Sequence, residues 1–416
     1  MPRWQRTLYV MAVAQAFSIL GFSFVIPFLP LYVQQLGIHG AARVTLWSAF
    51  LAGCTAVGMG FAAPIWGALA DRYGRKIMVV RASFSAAVLV GLMGLATNVY
   101  QLLALRLLQG MFTGTVSASQ ALVSSQTPRD RLGFALGLMQ TAIFVGNSSG
   151  PLLGGLVAQW VGFRASFGFA ALFLMTCAAL VVFFVHEEPR FAEPSNAPRP
   201  RLLSGLRETL TAPALLAMIA ALFAVQFAVT QVYPIIPQLV QVLQGRSGHA
   251  ALVTGAILAG AGAAGALSST AVGWFSDRIG HKTILVIAAC AACTISIPQA
   301  FVTATWQLAV LRVADGFALG AMLPSASAML AGMVRPERRG AAYGLAGSAN
   351  SIGIAAGPLT SAAVVAVSGI REVFFTAAVV LGIVALWVGT MVHPEAGAGT
   401  TTTSGVSTTE QRGQTG

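Results

Sequence analysis

GALADRYGRK at residues 67–76 is the stretch that decides the fold, because the chain contains a version of it twice. The second copy, GWFSDRIGHK, lies 206 residues later at 273–282. The same offset, or one residue more, relates other positions of the chain. These are Pro27 and Pro234, Arg106 and Arg312, and the dipeptides Gly150-Pro151 and Gly357-Pro358. One offset that holds through loops and apolar stretches predicts two halves with the same fold.

The composition places both halves in a membrane. Only 9% of the 416 residues are charged and 56% are hydrophobic, and the mean hydropathy is +0.78. A soluble domain carries about 25% charged residues, so this chain has too little charge to cover a soluble surface. The apolar stretches have the length of helices and not of the alternating strands of a membrane barrel. We therefore expect an all-α integral membrane protein.

Twelve apolar segments can be counted, each near or above the roughly 20 residues that a spanning helix needs. They are 8–36, 44–69, 78–96, 99–124, 133–159, 163–185, 213–242, 250–274, 282–301, 305–332, 340–367 and 371–392. We predict twelve transmembrane helices in two pseudo-symmetric six-helix bundles. The predicted units are the bundles at 1–185 and 213–392, a Pro-rich cytoplasmic central loop at 186–212, and a disordered cytoplasmic tail at 393–416. An even number of helices separates the two copies, so the halves should be related by an axis along the membrane normal.

The basic residues predict the orientation. The net charge is +12, and most of the 24 Lys and Arg residues fall on the side of the amino terminus. Four fall in loops on the other side, namely Arg43, Arg164, Arg246 and Arg371. Both termini are therefore expected in the cytoplasm, with the basic loops against anionic lipid instead of nucleic acid. No P-loop pattern is present, so ATP does not drive the protein through a P-loop of its own. We expect no enzymatic activity, no cofactor and no metal site.

The 67–76 stretch is predicted as a short loop between the second and third helices. Gly67 and Gly74 would permit a tight turn and a close approach of the helices. Asp71 would lie where a carboxylate can cap backbone N–H groups of the third helix. Arg72 and Arg75 would hold the loop in the cytoplasm. A turn that only sets topology would explain these charges, but it would not explain why the pattern recurs.

Charged residues inside the predicted helices mark a second candidate site. Arg106 heads a polar stripe on one face of helix 4, which continues through Gln109, Thr113, Ser117 and Gln120. Asp315 is the only acidic residue well inside any span, and Arg312 precedes it by three residues on the same face. Such charges are costly in a membrane and usually functional. Two structural alternatives stay open: Arg106 could bond only neighbouring carbonyls, and Arg312 with Asp315 could be a purely structural ion pair.

Glycines on predicted helix 5 indicate close helix packing. Gly146, Gly150 and Gly154 are spaced four apart on one face, and Pro151 should kink the helix. Gly155 follows directly. Ordinary tight packing would by itself explain this spacing.

These stretches together resemble the major facilitator superfamily, and the resemblance covers residues 8–392. The 67–76 stretch matches the family's Gly-x-Leu-Ala-Asp-Arg-x-Gly-Arg-Lys loop, and LGFSFVIPFLPLYV (20–33) resembles the opening of twelve-helix drug:proton antiporters. The helix 5 glycines resemble the family's antiporter motif. The resemblance implies a monomeric exporter of hydrophobic or amphipathic compounds in a bacterial inner membrane. It would exchange these small molecules for protons by alternating access. A narrow exporter of one metabolite or sugar, and a membrane sensor without transport, are the alternatives.

The resemblance also implies roles for individual residues. It implicates Arg106 in proton coupling, and by elimination we expect Asp315, paired with Arg312 in a central cavity, to be the protonatable carboxylate. Many antiporters of this branch have an acid in helix 1 or helix 4, and this chain has none there. The helices that line the family's cavity carry several amide, hydroxyl and aromatic side chains. These are Phe28, Gln109, Phe112, Thr113, Phe144, Asn147, Gln226 and Tyr233.

Overall fold

The computed structural model describes residues 2–128, 131–187, 213–245, 249–333 and 339–391. In these ranges the chain forms fifteen helices and no strand. The first half contains α1 (Arg3–Ser23), α2 (Leu29–Gln35), α3 (Ala41–Tyr73), α4 (Arg75–Met93), α5 (Val99–Phe112), α6 (Thr115–Gln126), α7 (Leu132–Val161) and α8 (Phe163–Phe184). The second half contains α9 (Pro213–Val232), α10 (Ile236–Gln244), α11 (Ala250–Ile279), α12 (His281–Gln299), α13 (Thr305–Met333), α14 (Arg339–Val367) and α15 (Glu372–Met391).

Three of the predicted segments are broken helices, which reduces the fifteen helices to twelve segments. Segment 1 consists of α1 and α2, segment 4 of α5 and α6, and segment 7 of α9 and α10. Pro27 and Pro234 lie in the first and last of these breaks, because proline lacks the N–H that would continue the helix. Ten segments in the described residues are long and apolar enough to cross a membrane. The other two are segment 1, which begins with basic residues, and segment 4, whose pieces are short.

Helix pairs recur between the halves and confirm the pseudo-symmetry. In the first half α1 packs on α7 and α8, α4 packs on α8, and α3 packs on α5. In the second half α9 packs on α14 and α15, α12 packs on α15, and α11 packs on α13. Each half buries apolar cores of its own. The halves meet where α3 packs on α14 and where α7 packs on α11.

Residues 67–76 are mostly helical, so the prediction of a loop at this stretch is wrong in part. Helix α3 continues through Gly67 and Asp71 as far as Tyr73, and only Gly74 separates it from α4. Gly74 has φ +98°, a backbone conformation that glycine adopts without strain. The residues from Ala68 to Ala70 are good helix formers, which explains why the helix does not end earlier. The predicted central loop and tail lie outside the described residues, except for His186 and Glu187.

Candidate functional site

A buried ion pair joins Arg312 and Asp315 on α13. Arg312 Nη1 lies 2.7 Å from Asp315 Oδ2, and the two side chains are only 6% and 4% exposed. The three-residue spacing puts both on one helix face, as the sequence predicts. Asp315 Oδ1 and Arg312 Nε have no hydrogen-bond partner among the described residues. Tyr233, in the break between α9 and α10, is close enough to interact electrostatically with both charges.

The cavity beside this ion pair lies within the second half. Its volume is about 10 Å³, close to the space that one water molecule occupies. Its lining comes from α9, α12, α13 and α15, and includes Val232, Ser296 and Leu319. The pair thus borders a cavity inside one bundle, and its access to a cavity between the halves stays a prediction.

The first half repeats this arrangement with an amide in place of the acid. Arg106 Nη1 donates to Gln109 Oε1 at 3.3 Å, and Gln109 is 2% exposed. These residues stand 206 positions before Arg312 and Asp315. Thr55 from α3 donates its hydroxyl to the backbone carbonyl of Arg106 at 3.2 Å. The repeat therefore places one Arg and one polar partner at equivalent points of the two halves, and only the second partner can take up a proton as a carboxylate.

The polar stripe of segment 4 does not lie on one continuous helix face, so that prediction is wrong. Helix α5 ends at Phe112, Thr113 is extended, and Gly114 has φ +120° before α6 begins. Arg106 and Gln109 belong to α5, whereas Ser117 and Gln120 belong to α6. A helix break separates the two parts of the stripe.

The glycines of α7 pack as the sequence predicts, against segment 1. A Cβ on Gly146 would lie 2.7 Å from Ile19 Cβ, and one on Gly154 would collide with the carbonyl of Phe24. One on Gly150 would collide with the hydroxyl of Ser23, which donates to the carbonyl of Gly146 at 2.8 Å.

Pro151 and Gly155 face the other half of the molecule. The carbonyl of Pro151 lies against Gly255 of α11, and Gly155 lies against Ala251. Helix α7 is therefore in backbone contact with helices on two sides. The second half repeats the contact between Ser23 and Gly146. There Thr230 of α9 donates its hydroxyl to the carbonyl of Gly353 of α14 at 3.1 Å. The role of these glycines in exchange stays a prediction.

At the start of α4 the structure describes a carboxylate cap that comes from another part of the chain. Glu187, just after α8, accepts the backbone N–H of Arg75 at 3.0 Å and of Lys76 at 2.7 Å. A negative charge is stabilising at a helix N-terminus. Arg75 also donates its side chain to the carbonyl of Ala121 on α6 at 2.9 Å. The side chains of Asp71 and Arg72 and the surroundings of Gly67 lie outside the described part of the chain, so the capping predicted for Asp71 stays a prediction.

The predicted cavity residues range from exposed to fully buried. Phe112 and Tyr233 are each 39% exposed, and Asn147 is exposed. Phe144 and Gln226 are half-buried. Thr113 is 9% exposed and lies in the break of segment 4. Phe28 is fully buried and stacks on Phe163 with 5.6 Å between the ring centroids, so it packs in the core of the first half.

Side-chain amides join the two halves at the end opposite the amino terminus. Gln34 and Gln241 donate to each other at 3.1 and 3.3 Å. Gln238 donates to the hydroxyl of Thr45 at 2.8 Å and is 3% exposed. All three bonds cross from one half to the other. A cavity of about 240 Å³ lies beside them and is lined in part by His39. We call these three bonds the amide contact.

Several residues here were missed by sequence reasoning. Glu187 follows an apolar segment directly, a position from which an acid can reach a neighbouring helix end. Gln34 and Gln241 obey the repeat offset of 207, which could have marked them as equivalent. Arg81 lies within predicted segment 78–96, and the charge inside a span was the signal. In the structure Arg81 stacks over Trp66 at 3.4 Å from its ring.

Sequence comparisons agree with this architecture. A sequence model of the Major Facilitator Superfamily matches residues 11–305 and again 248–410. The multidrug resistance protein MdtG of Citrobacter koseri is 37% identical over 379 residues, covering 91% of this chain and 93% of that protein. The protein of the same name from Dickeya zeae is 38% identical over 382 residues, covering 91% and 92%.

Solved structures of low sequence identity share the fold. A bacterial homologue of the human lysosomal transporter Spinster, in an inward-facing and unoccupied conformation, superposes with a TM-score of 0.76 at 15% identity. The match covers 93% of this chain and 96% of that one. The human organic anion transporter MFSD10 superposes with a TM-score of 0.68 at 19% identity, covering 93% and 100%.

Proposed function

Because the chain belongs to the major facilitator superfamily, we propose that it is a multidrug exporter of a bacterial inner membrane. The observation that carries the proposal is the 37% identity to an MdtG multidrug resistance protein across 91% of this chain. The match covers most of the chain and so extends through both halves. A transporter of this kind is not an enzyme and needs no cofactor.

Transport by alternating access fits the way in which the halves meet. The two bundles are bonded to each other through the amide contact at one end of the molecule. The basic loops assign the amino-terminal end to the cytoplasm, so the amide contact lies on the outer side. In this state the outer side is closed. Export then requires the amide contact to break while the helices separate at the outer end.

Exchange for protons is assigned to Asp315. It is a buried carboxylate, and among the described residues Arg312 is its ion-pair partner while its second oxygen has no hydrogen-bond partner. Protonation of Asp315 would release Arg312, and the loss of this bond would change how α13 packs on α9. A cationic compound that reaches the carboxylate would displace the proton. Asp315 cannot bind a proton and a cationic compound at the same time. Binding of one therefore releases the other, which is the exchange that we propose.

The other predicted site residues contribute to substrate binding and to closure of the cytoplasmic end. Arg106, Gln109 and Thr113 contribute polar groups near the middle of segment 4, and Phe112, Phe144, Asn147, Gln226 and Tyr233 contribute aromatic and amide surface for bulky apolar substrates. Asp71 closes the cytoplasmic end in one state of the cycle. The protein works as a monomer in contact with lipid.

Drug susceptibility of an efflux-deficient bacterial host tests the proposal. The chain would be expressed beside an inactive variant, Asp71→Asn, at equal membrane abundance. We expect raised resistance to several chemically unrelated hydrophobic or cationic compounds for the wild type alone. Resistance to a single compound would favour the narrow exporter instead. No change with any compound would contradict export and favour the membrane sensor.

A further inference from the structure

Segment 4 is broken, whereas its repeat in the second half is not. In segment 4, α5 and α6 are interrupted at Gly114, which has φ +120°. The equivalent residue in the second half is Gly320, and α13 passes through it without interruption from Thr305 to Met333. Both positions are glycine, so local backbone freedom does not explain the difference. Something outside the segment must stabilise the break in the first half.

A break inside a membrane leaves backbone carbonyls without their helical partners. The last four carbonyls of a helix have no intrahelical N–H to accept from. In hydrocarbon each unsatisfied group costs several kcal/mol, so other groups must satisfy it. At the end of α5 the carbonyl of Gln109 accepts from the N–H of Thr113 at 3.0 Å. Met111 and Phe112 still need donors.

Two side chains from neighbouring helices supply these donors. Trp66 on α3 donates its indole Nε1–H to the carbonyl of Met111 at 2.6 Å. Arg81 on α4 donates Nη1 to the carbonyl of Phe112 at 2.9 Å. The Arg81 guanidinium lies over the Trp66 ring at 3.4 Å from its centroid, so each side chain orients the other. We call this pair the carbonyl clamp.

The second half lacks the clamp. By the repeat offset, Val272 stands where Trp66 stands and Ile287 where Arg81 stands. Neither side chain can donate a hydrogen bond, and Ile287 is 60% exposed. The half with two donors has the break, and the half with none has a continuous helix. Comparison of the two halves therefore associates the clamp with the break.

A charge that only sets topology would not need this geometry. Arg81 lies seven residues into α4, within a candidate membrane span, where a charge is expensive. Arg75 and Lys76 already lie at the end of that helix and suffice for topology. The bond to Phe112 and the stacking on Trp66 give Arg81 a specific partner on each side.

We propose that Arg81 and Trp66 are positioning residues that hold segment 4 broken at Gly114. Without them, the carbonyls of Met111 and Phe112 would accept from the N–H groups of Thr115 and Val116, and the segment would become one helix. The break fixes the end of α5 against α3 and α4, and so fixes Gln109 and Arg106, which lie about one and two turns earlier on α5. This role in transport rests on the proposed function, but the break itself does not.

Hydrogen exchange of the full-length protein in lipid nanodiscs tests the clamp independently of transport. Trp66→Phe keeps the ring and removes the N–H, and Arg81→Gln removes the charge. In both variants we expect the backbone amides of residues 115–117 to exchange more slowly, by a factor of up to about five. The reason is that these amides would gain hydrogen bonds when the segment becomes one helix. Export in the host assay should fall in parallel. Gly114→Ala should have the same two effects, because alanine is strained at φ +120°.

Matched controls and one combination make the result decisive. Trp160→Phe changes a tryptophan that is 80% exposed, and Arg43→Gln changes an exposed arginine, so neither should affect exchange at 115–117 or export. Adding Trp66→Phe to Gly114→Ala should cause no further change. Unchanged or faster exchange in the clamp variants overturns the proposal that the clamp holds the break. Slower exchange with normal export overturns the role of the clamp in transport. A wild type that exports nothing would refute the proposed function and leave the exchange result valid.

Discussion

At the scale of single residues, Asp315 and Arg312 carry the most specific chemistry in the molecule. Asp315→Asn keeps the size of the side chain but removes the group that can exchange a proton. We expect the variant to bind drug and to lose drug-driven proton release, measured with a pH-sensitive dye in proteoliposomes. Glu372→Gln, at the start of α15, is the matched control and should release protons normally. Unchanged proton release by the Asn variant would place the proton elsewhere.

Stability must be separated from coupling in this test. Removing one partner of a buried ion pair costs about 3–5 kcal/mol, because the other charge is left uncompensated. Asp315→Asn should therefore lower the thermal midpoint of the protein in detergent. The double variant Arg312→Met with Asp315→Asn removes both charges and should recover most of this loss without recovering proton release. If proton release recovers together with stability, the pair is only structural.

Arg106 offers a second test at this scale. Its described side-chain bond is to the neutral amide of Gln109, so a lysine could keep the charge but not the planar guanidinium. We expect Arg106→Lys to reduce export by at least about tenfold in a drug accumulation assay, the factor that corresponds to the loss of ~1.4 kcal/mol. Arg43→Lys is the control at an exposed site. Normal accumulation kinetics in the Arg106 variant would make this residue a structural charge.

At the scale of helices, the α7 glycines allow a sharp comparison within one helix. Gly154→Ala places a methyl group against the carbonyl of Phe24, and overpacking of this kind costs about 1–3 kcal/mol. Gly137→Ala on the same helix meets nothing within 4 Å and should be stabilising by about 0.5–1 kcal/mol. We expect thermal unfolding to shift in opposite directions, and export to fall only for Gly154→Ala. Equal shifts would mean that α7 does not need close contact with α1.

The helices also show what could be predicted from the sequence. The repeat and the apolar segments predict the two bundles and most helix bounds, and the i, i+3 spacing predicts that Arg312 meets Asp315. The break at Gly114 could not be predicted, because Gly320 has the same local sequence signal and lies in a continuous helix. The cap by Glu187 and the clamp by Arg81 depend on contacts between helices, which no local pattern contains. Pro27 and Pro234 could have marked the breaks of segments 1 and 7, which were predicted as continuous helices.

At the scale of the whole molecule, the amide contact should open during each cycle. Gln34→Cys with Gln241→Cys, in a variant whose four native cysteines are replaced by serine, allows the halves to be joined by a short bismaleimide. We expect joining to abolish export in vesicles, because the outer end can no longer separate. Each single cysteine variant, treated in the same way, should keep its activity. Full activity of the joined protein would show that this end does not open.

We expect this one chain to export unrelated compounds in exchange for protons. The most direct measurement uses purified wild-type protein in liposomes with an acidic lumen, and follows the accumulation of two chemically unrelated compounds. The account predicts that both accumulate, that an ionophore which collapses the proton gradient stops both, and that Asp315→Asn accumulates neither. Accumulation of only one compound, or accumulation that persists without a proton gradient, would contradict it.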